Sequence, residues 1–146
     1  MILRNNRKIA IIIPTYQAQH WLERCLTEVR QLILPIQYQL VTVVVDNAST
    51  DGTVEYLEKC SDIKFLPQTK NKGFAGANNI GLAWADHWGA DYVFLLNQDV
   101  YCAPEVLTQL VDFLEIRPAA VAVQPQILGY PETYSGRLSS LPWTWL

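Results

Sequence analysis

No stretch of the 146-residue chain comes near the ~18 consecutive apolar residues that a membrane-spanning helix requires. Nor does basic charge dominate. Eleven Lys and Arg face fourteen Asp and Glu for a net charge of −3, which removes the electrostatic footprint of a nucleic-acid binder. Cysteine is scarce: Cys25, Cys60 and Cys102 are widely spaced and form no CxxC pair. Such thiols suit a reducing compartment and buried positions better than disulfides or zinc. Charged residues make up only 17% of the chain and hydrophobic ones 50%, which excludes disorder and suffices for the core of one domain. Arg4, Arg7 and Lys8 precede an apolar run at residues 9–13, the opening of a signal peptide. That run is too short and ends in Pro14-Thr15-Tyr16 without a small-residue cleavage site, so it is read as a first strand in the cytoplasm. No glycine lies between Pro14 and Gln19, where a dinucleotide-binding oxidoreductase would carry G-x-G-x-x-G.

The apolar residues that are present alternate between short runs and helical periodicity. Residues 9–13, 40–45 and 92–96 are continuous β-branched or aromatic runs, the pattern of parallel strands buried on both faces. Shorter strands are predicted at residues 63–66 and 121–123. Trp21, Leu22, Cys25, Leu26, Val29, Leu32 and Ile33 recur at three- and four-residue steps, which predicts one helix. Val106, Leu107, Leu110, Val111 and Leu114 predict another, with Pro104 in its first turn and Pro118 closing it. An Ala-rich, close-packed helix is expected over 74–88 and a short one over 51–59. Trp84 and Trp88, one helical turn apart, are read as core, and His20 and His87 as exposed residues without metal-ligand spacing. The order β-α-β-α-β-α-β-α-β predicts an α/β fold with a mostly parallel sheet and flanking helices.

Ligands of open α/β sheets bind beyond the carboxyl ends of the strands, and polar residues gather there. The first strand ends in Pro14-Thr15-Tyr16, the second in Asp46-Asn47-Ala48-Ser49-Thr50-Asp51-Gly52-Thr53, and the fourth in Asn97-Gln98-Asp99. Asn71-Lys72-Gly73 leads into the third helix. Asp46 sits too early to cap a helix well and is read as a ligand contact to a nucleobase N–H or a ribose hydroxyl, with capping left to Ser49, Thr50 and Asp51. Asp99 leaves a buried strand as a carboxylate that could hold a hard divalent cation together with ligand phosphates, or else forms part of a polar turn. Gly73 and Gly76 allow close backbone approach at a helix N-terminus that favours anions, or tight packing on the sheet. Asn78 is the ligand-facing candidate of that helix.

Four segments in series resemble the family 2 glycosyltransferases of GT-A (Rossmann-like) fold. They are Ile11-Ile12-Ile13-Pro14-Thr15-Tyr16, Val43-Val44-Val45-Asp46-Asn47-Ala48-Ser49-Thr50-Asp51-Gly52-Thr53, Asn71-Lys72-Gly73-Phe74-Ala75-Gly76-Ala77-Asn78-Asn79 and Leu95-Leu96-Asn97-Gln98-Asp99, and the resemblance covers residues 8 to about 125. It implies a nucleotide-sugar donor held by Pro14, Thr15, Tyr16 and Asp46, with Asp46 on the base and Asn71, Gly73 and Asn78 lining the pocket. Asn97-Gln98-Asp99 stands where the family has its DxD motif, so Asp99 would bind Mg²⁺ or Mn²⁺ on the diphosphate. Asn97 replaces the first Asp, which should weaken metal binding when no nucleotide is present. The Asn-x-Asp form looks most like bacterial rhamnosyltransferases that use dTDP-rhamnose in cell-surface polysaccharide synthesis. The implied acceptor is a polysaccharide or lipid-linked glycan, which makes peripheral association with the inner face of the membrane an expectation.

The pattern stops near Val123. Residues 1–125 are therefore read as a nucleotide-sugar-binding half-domain. Residues 126–146, with their Pro, Gly and Trp, read as the start of a missing acceptor-binding half. The resemblance implies a general base on a later segment, beyond Leu146; Glu132 comes too early to match it. The 146-residue chain alone is expected to bind donor with little or no transfer. The competing reading is a non-catalytic nucleotide-binding or interaction module, with Trp143, Trp145 and Leu146 as an apolar end fit for homodimerisation or for docking a missing domain.

Overall fold

The computed structural model describes residues 7–127. Four strands and four helices alternate as β1 (Arg7–Thr15), α1 (Gln19–Arg30), β2 (Tyr38–Asp46), α2 (Thr53–Leu57), β3 (Lys64–Pro67), α3 (Gly73–Trp88), β4 (Tyr92–Leu95) and α4 (Val106–Ile116). The strands form one sheet of order β3-β2-β1-β4, and every pairing is parallel. The chain winds outward from β1 through β2 to β3, then crosses back to place β4 on the other side. The topological switch point therefore lies between β1 and β4.

Period-two alternation of the apolar runs divides the core between the two faces of the sheet. Ile9, Ile11, Ile13 and Val44 point toward α1 and α4, where they meet Leu22, Cys25, Leu26, Val29, Leu107 and Val111. Ala10, Ile12, Val43 and Val45 point the other way, toward Ala77 and Ala85 of α3. The Ala and Gly content of α3 is what lets it lie so close. A Cβ placed on Gly81 would come 2.4 Å from Cγ2 of Ile12.

Both helices that follow the first two strands are capped from the loop after β2. Asp51 Oδ2 accepts the Gln19 N–H at 3.1 Å, and its Oδ1 accepts the Thr53 N–H at 3.2 Å and the Thr53 hydroxyl at 2.6 Å. Thr53 Oγ1 in turn accepts the Ala18 N–H at 2.8 Å. One loop thus satisfies orphan donors of two helices. At the opposite end of the sheet Arg7 donates to the Tyr92 oxygen at 2.5 Å, and Tyr92 donates to Glu115 at 2.6 Å. Burial, with that bond to Glu115, pushes the Tyr92 hydroxyl up to about 12.

Three expectations are corrected. Residues 121–123 form no strand: Val121 is 98% exposed, and two β-branched valines without a sheet edge beside them gain nothing from their propensity. The stripe of α1 stops at Arg30, leaving Ile33 beyond the helix and exposed. Pro104 precedes α4 rather than entering its first turn. In addition, β4 is sealed on one face only, because Val93 and Leu95 stay partly open on the α3 side. Trp84 and Trp88 stack with centroids 5.9 Å apart and are half-buried, while His20 and His87 are exposed.

Gly81→Ala tests the α3 contact. Ala would gain about 1 kcal/mol in helix propensity, but overpacking costs about 1–3 kcal/mol, so urea melts should show net destabilisation. A more stable variant would mean that α3 does not seat on Ile12 this closely. Asp51→Ala should cost ~1 kcal/mol at pH 7, as cap removal does. Burial pushes the Asp51 carboxyl up, yet the hydrogen bonds from Thr53 and Gln19 outweigh it and hold the group below its usual range. A folded pKa below the unfolded value of about 3.9 adds stability above that pH and loses it as pH falls through the folded value. The gap in stability between wild type and Asp51→Ala should therefore narrow in melts run at falling pH below about 4.

Candidate functional site

The carboxyl ends of β1, β2 and β4 share one rim because the sheet is parallel. At the end of β2, Asp46 is completely buried. Its Oδ1 accepts the Thr15 hydroxyl at 3.0 Å and the Ser49 hydroxyl at 2.5 Å, and its Oδ2 accepts the Ser49 N–H at 2.9 Å. Asp46 caps no helix, as expected, and that task falls to Asp51; instead its carboxylate bonds Ser49 and Thr15. The carboxylate bends residues 46–49 back on themselves, with Ala48 in the left-handed region at φ 62°, and ties that turn to β1. As folded, Asp46 presents no surface to a nucleobase.

Pro14 and Thr15 are buried as well, so of the three β1-end candidates only Tyr16 opens, at 47% exposure. Its backbone is held by Gln98, to which the sequence assigned no separate role. The Tyr16 N–H donates to Gln98 Oε1 at 2.8 Å, and Gln98 Nε2 donates to the Tyr16 carbonyl at 3.2 Å. The next residue, Gln17 (φ 49°), is locked to the β2 loop. Its N–H donates to Ser49 Oγ at 2.9 Å, its Oε1 accepts the Thr50 N–H at 2.8 Å, and its Nε2 donates to Thr50 Oγ1 at 3.2 Å. The presence of amide side chains at every strand end was the only signal in the sequence for these locks.

Asn47 performs the same service for the start of α3. Its Nδ2 donates to the Gly73 carbonyl at 3.2 Å and its Oδ1 accepts the Lys72 N–H at 3.2 Å. Asn71 Oδ1 accepts the Gly73 N–H at 2.7 Å, so Asn71 shapes this turn. Gly73 is needed for its φ of 72°, not for room: a Cβ there would meet nothing within 4 Å. Asn78 is 5% exposed, and its Nδ2 donates to the Phe74 carbonyl at 3.0 Å. Its Oδ1 is buried with no hydrogen-bond partner. Leaving such an acceptor unpaired costs about 1–3 kcal/mol, so the position favours an incoming N–H or O–H donor.

Beyond β4 the chain turns at Asn97, whose carbonyl accepts the Val100 N–H at 3.2 Å. The side chains of Asn97 and Asp99 are exposed, and among the described residues none forms a hydrogen bond or ion pair with either. No group of three or more His, Cys, Asp or Glu that could hold a metal occurs among the described residues. A cation here would have one protein carboxylate, the Asn97 amide nearby, and oxygens from a ligand. Mg²⁺ accepts such a set when phosphates complete its shell, so the residues fit a cation brought with a diphosphate and not a resident one. Asp99 also lies near the core thiols. Burial first, then Cys102 and Asp99, push Cys25 up to about 12, while Cys102 and Cys60 are only partly buried.

Comparison with known proteins agrees with this geometry. The family described as glycosyl transferase family 2 matches residues 10–146. A dolichol-phosphate mannosyltransferase from Pyrococcus furiosus is 29% identical over 111 residues, covering 74% of this chain and 30% of that protein. The Staphylococcus aureus poly(ribitol-phosphate) β-N-acetylglucosaminyltransferase TarS is 27% identical over 112 residues, covering 74% of this chain and 19% of that one. A crystal structure of TarS 1–349 with UDP-GlcNAc superimposes with a TM-score of 0.67 at 25% identity, over 76% of this chain and 32% of that one. The mannosyltransferase PcManGT from Pyrobaculum calidifontis, in complex with GDP-Man and Mn²⁺, does so at 0.61 and 29% identity, over 73% and 32%. The chain thus spans between about a fifth and a third of the length of these relatives. With its parallel four-stranded sheet and flanking helices, this chain has the GT-A fold and belongs to glycosyl transferase family 2.

Proposed function

We propose that residues 1–125 form the donor-binding part of a metal-assisted, inverting glycosyltransferase that moves a sugar from a nucleotide-diphospho-sugar to a cell-surface polysaccharide or lipid-linked glycan. The observation that carries this reading is the division of labour at the rim. Asp46, Asp51, Asn47, Gln17 and Gln98 hold loops together, which leaves Tyr16, Asn97 and Asp99 open on the same side. Tyr16 offers a ring face to a base, Asn78 Oδ1 an acceptor to a ligand donor group, Asn97 an amide to a ribose or sugar hydroxyl, and Asp99 a carboxylate to the cation. Mg²⁺ or Mn²⁺ at Asp99 would offset charge on the departing diphosphate. Asp46 and Asp51 are committed to the loops, so the base that takes the acceptor proton is assigned to a segment outside the described residues. Glu132, Trp143, Trp145 and Leu146 also lie outside them.

The donor follows less directly. TarS has been crystallised with UDP and UDP-GlcNAc and PcManGT with GDP-Man, and the relatives named here are mannosyl- and N-acetylglucosaminyltransferases. They support a nucleotide-diphospho-sugar and give no support to dTDP-rhamnose, which rests on Asn97-Gln98-Asp99 alone. The non-catalytic reading is favoured by one feature, the open Val93 and Leu95 on β4, which suit a partner surface.

Calorimetry with UDP, GDP and dTDP, each with and without Mn²⁺, separates these readings. At least one diphosphate should bind more tightly with Mn²⁺. Asp99→Ala should cost about ten- to a hundredfold of that metal-dependent affinity, the scale of one charge-assisted contact. Failure of all three nucleotides to bind would remove the donor site and leave the interaction module.

A further inference from the structure

The hydrogen-bonded pairing of β1 with β4 ends early. Its last register pair is Ile12 with Leu95, and the Leu96 N–H reaches back to the Ile12 carbonyl at 3.0 Å. From there β1 runs on through Ile13, Pro14 and Thr15 without β4 beside it, and Pro14 has no N–H to offer. On its other edge β1 stays paired with β2 as far as Thr15 and Asp46. The sheet therefore splits at its switch point, where the geometry of open α/β sheets places the ligand.

Gln98 spans this split. Its amide closes on both the N–H and the carbonyl of Tyr16, as a neighbouring strand would. This one side chain thus makes two hydrogen bonds from the 97–102 turn to the Tyr16 backbone. Both are exposed. Exposed bonds exchange readily with water and add little to global stability, so their effect falls on the relative position of Tyr16 and Asp99. A primary amide suits this place, because it accepts through one atom and donates through another at the same time.

Resting on the donor-site reading above, we propose that Gln98 is a positioning residue that couples the nucleoside end of the site, at Tyr16, to the cation end, at Asp99. A diphosphate touching both ends then meets two groups already held in register. A ligand touching only the Tyr16 end gains nothing from the brace.

The test uses the full chain and Gln98→Met, which keeps the side-chain length and loses both bonds, with Gln98→Ala as a second variant. Titrations are run with the tightest-binding diphosphate with and without Mn²⁺, and with the matching nucleoside monophosphate in EDTA. The factor by which Mn²⁺ strengthens diphosphate binding should fall about fivefold or more in both variants. Monophosphate affinity should stay within about twofold, and hydrogen exchange at the Tyr16 amide should accelerate. An unchanged Mn²⁺ factor, or an equal loss for all ligands, would show that Gln98 merely supports the loop. If wild type binds no nucleotide, the donor-site reading falls and takes this coupling with it. If wild type binds but Tyr16 exchange is the same in the variants, the brace alone is wrong.

Discussion

β1 lies between β2 and β4, and the residues from Ile9 to Ile13 are sealed from water by helices on both faces. A strand enclosed in this way cannot slide by one residue without turning each side chain to the wrong layer. Its register is consequently fixed, and the polar end that follows Ile13 emerges at a defined height. Thr15 meets Asp46 because of that register, and Tyr16 meets Gln98. Every polar lock at the rim is built on an apolar strand that has no freedom to move.

The rim itself is organised by short side chains reaching across chain junctions. Asp46 closes its own turn and holds β1, Asp51 caps two helices, and Asn47 fastens the entry to α3. Gln17 and Ala48 adopt left-handed backbone conformations in these loops, which cost energy for non-glycine residues and persist only where neighbours hold them. Preorganisation of this kind means that a ligand need not order the loops as it binds. Among the described residues, the Oδ1 of Asn78 is the one buried side-chain polar atom without a hydrogen-bond partner, and it lies on the helix that Asn47 secures.

Much of this architecture was legible in the residues. Continuous β-branched runs identified β1 and β2, and the alternation of runs with helical stripes gave their order. The clustering of amides and acids after each run located the rim. Direction was not legible. Whether Asp46 turns outward or inward depends on Thr15, 31 positions earlier, and on Ser49, and no local pattern encodes that choice. Gln98 pairs with a backbone 82 positions away, so nothing in its own neighbourhood pointed to that role. Residues 121–123 show the converse failure: strand propensity was present, but the neighbouring edge that would make it count was not beside it.

Cys25 carries one further consequence. Its thiol faces the sheet from α1 and, pushed up to about 12, stays protonated at neutral pH. Thiol reagents attack the thiolate, so the folded position is protected twice, by access and by protonation. Labelling at Cys25 would therefore count how often α1 lifts from the sheet. The chain carries its own clock for the opening of the layer beneath the rim.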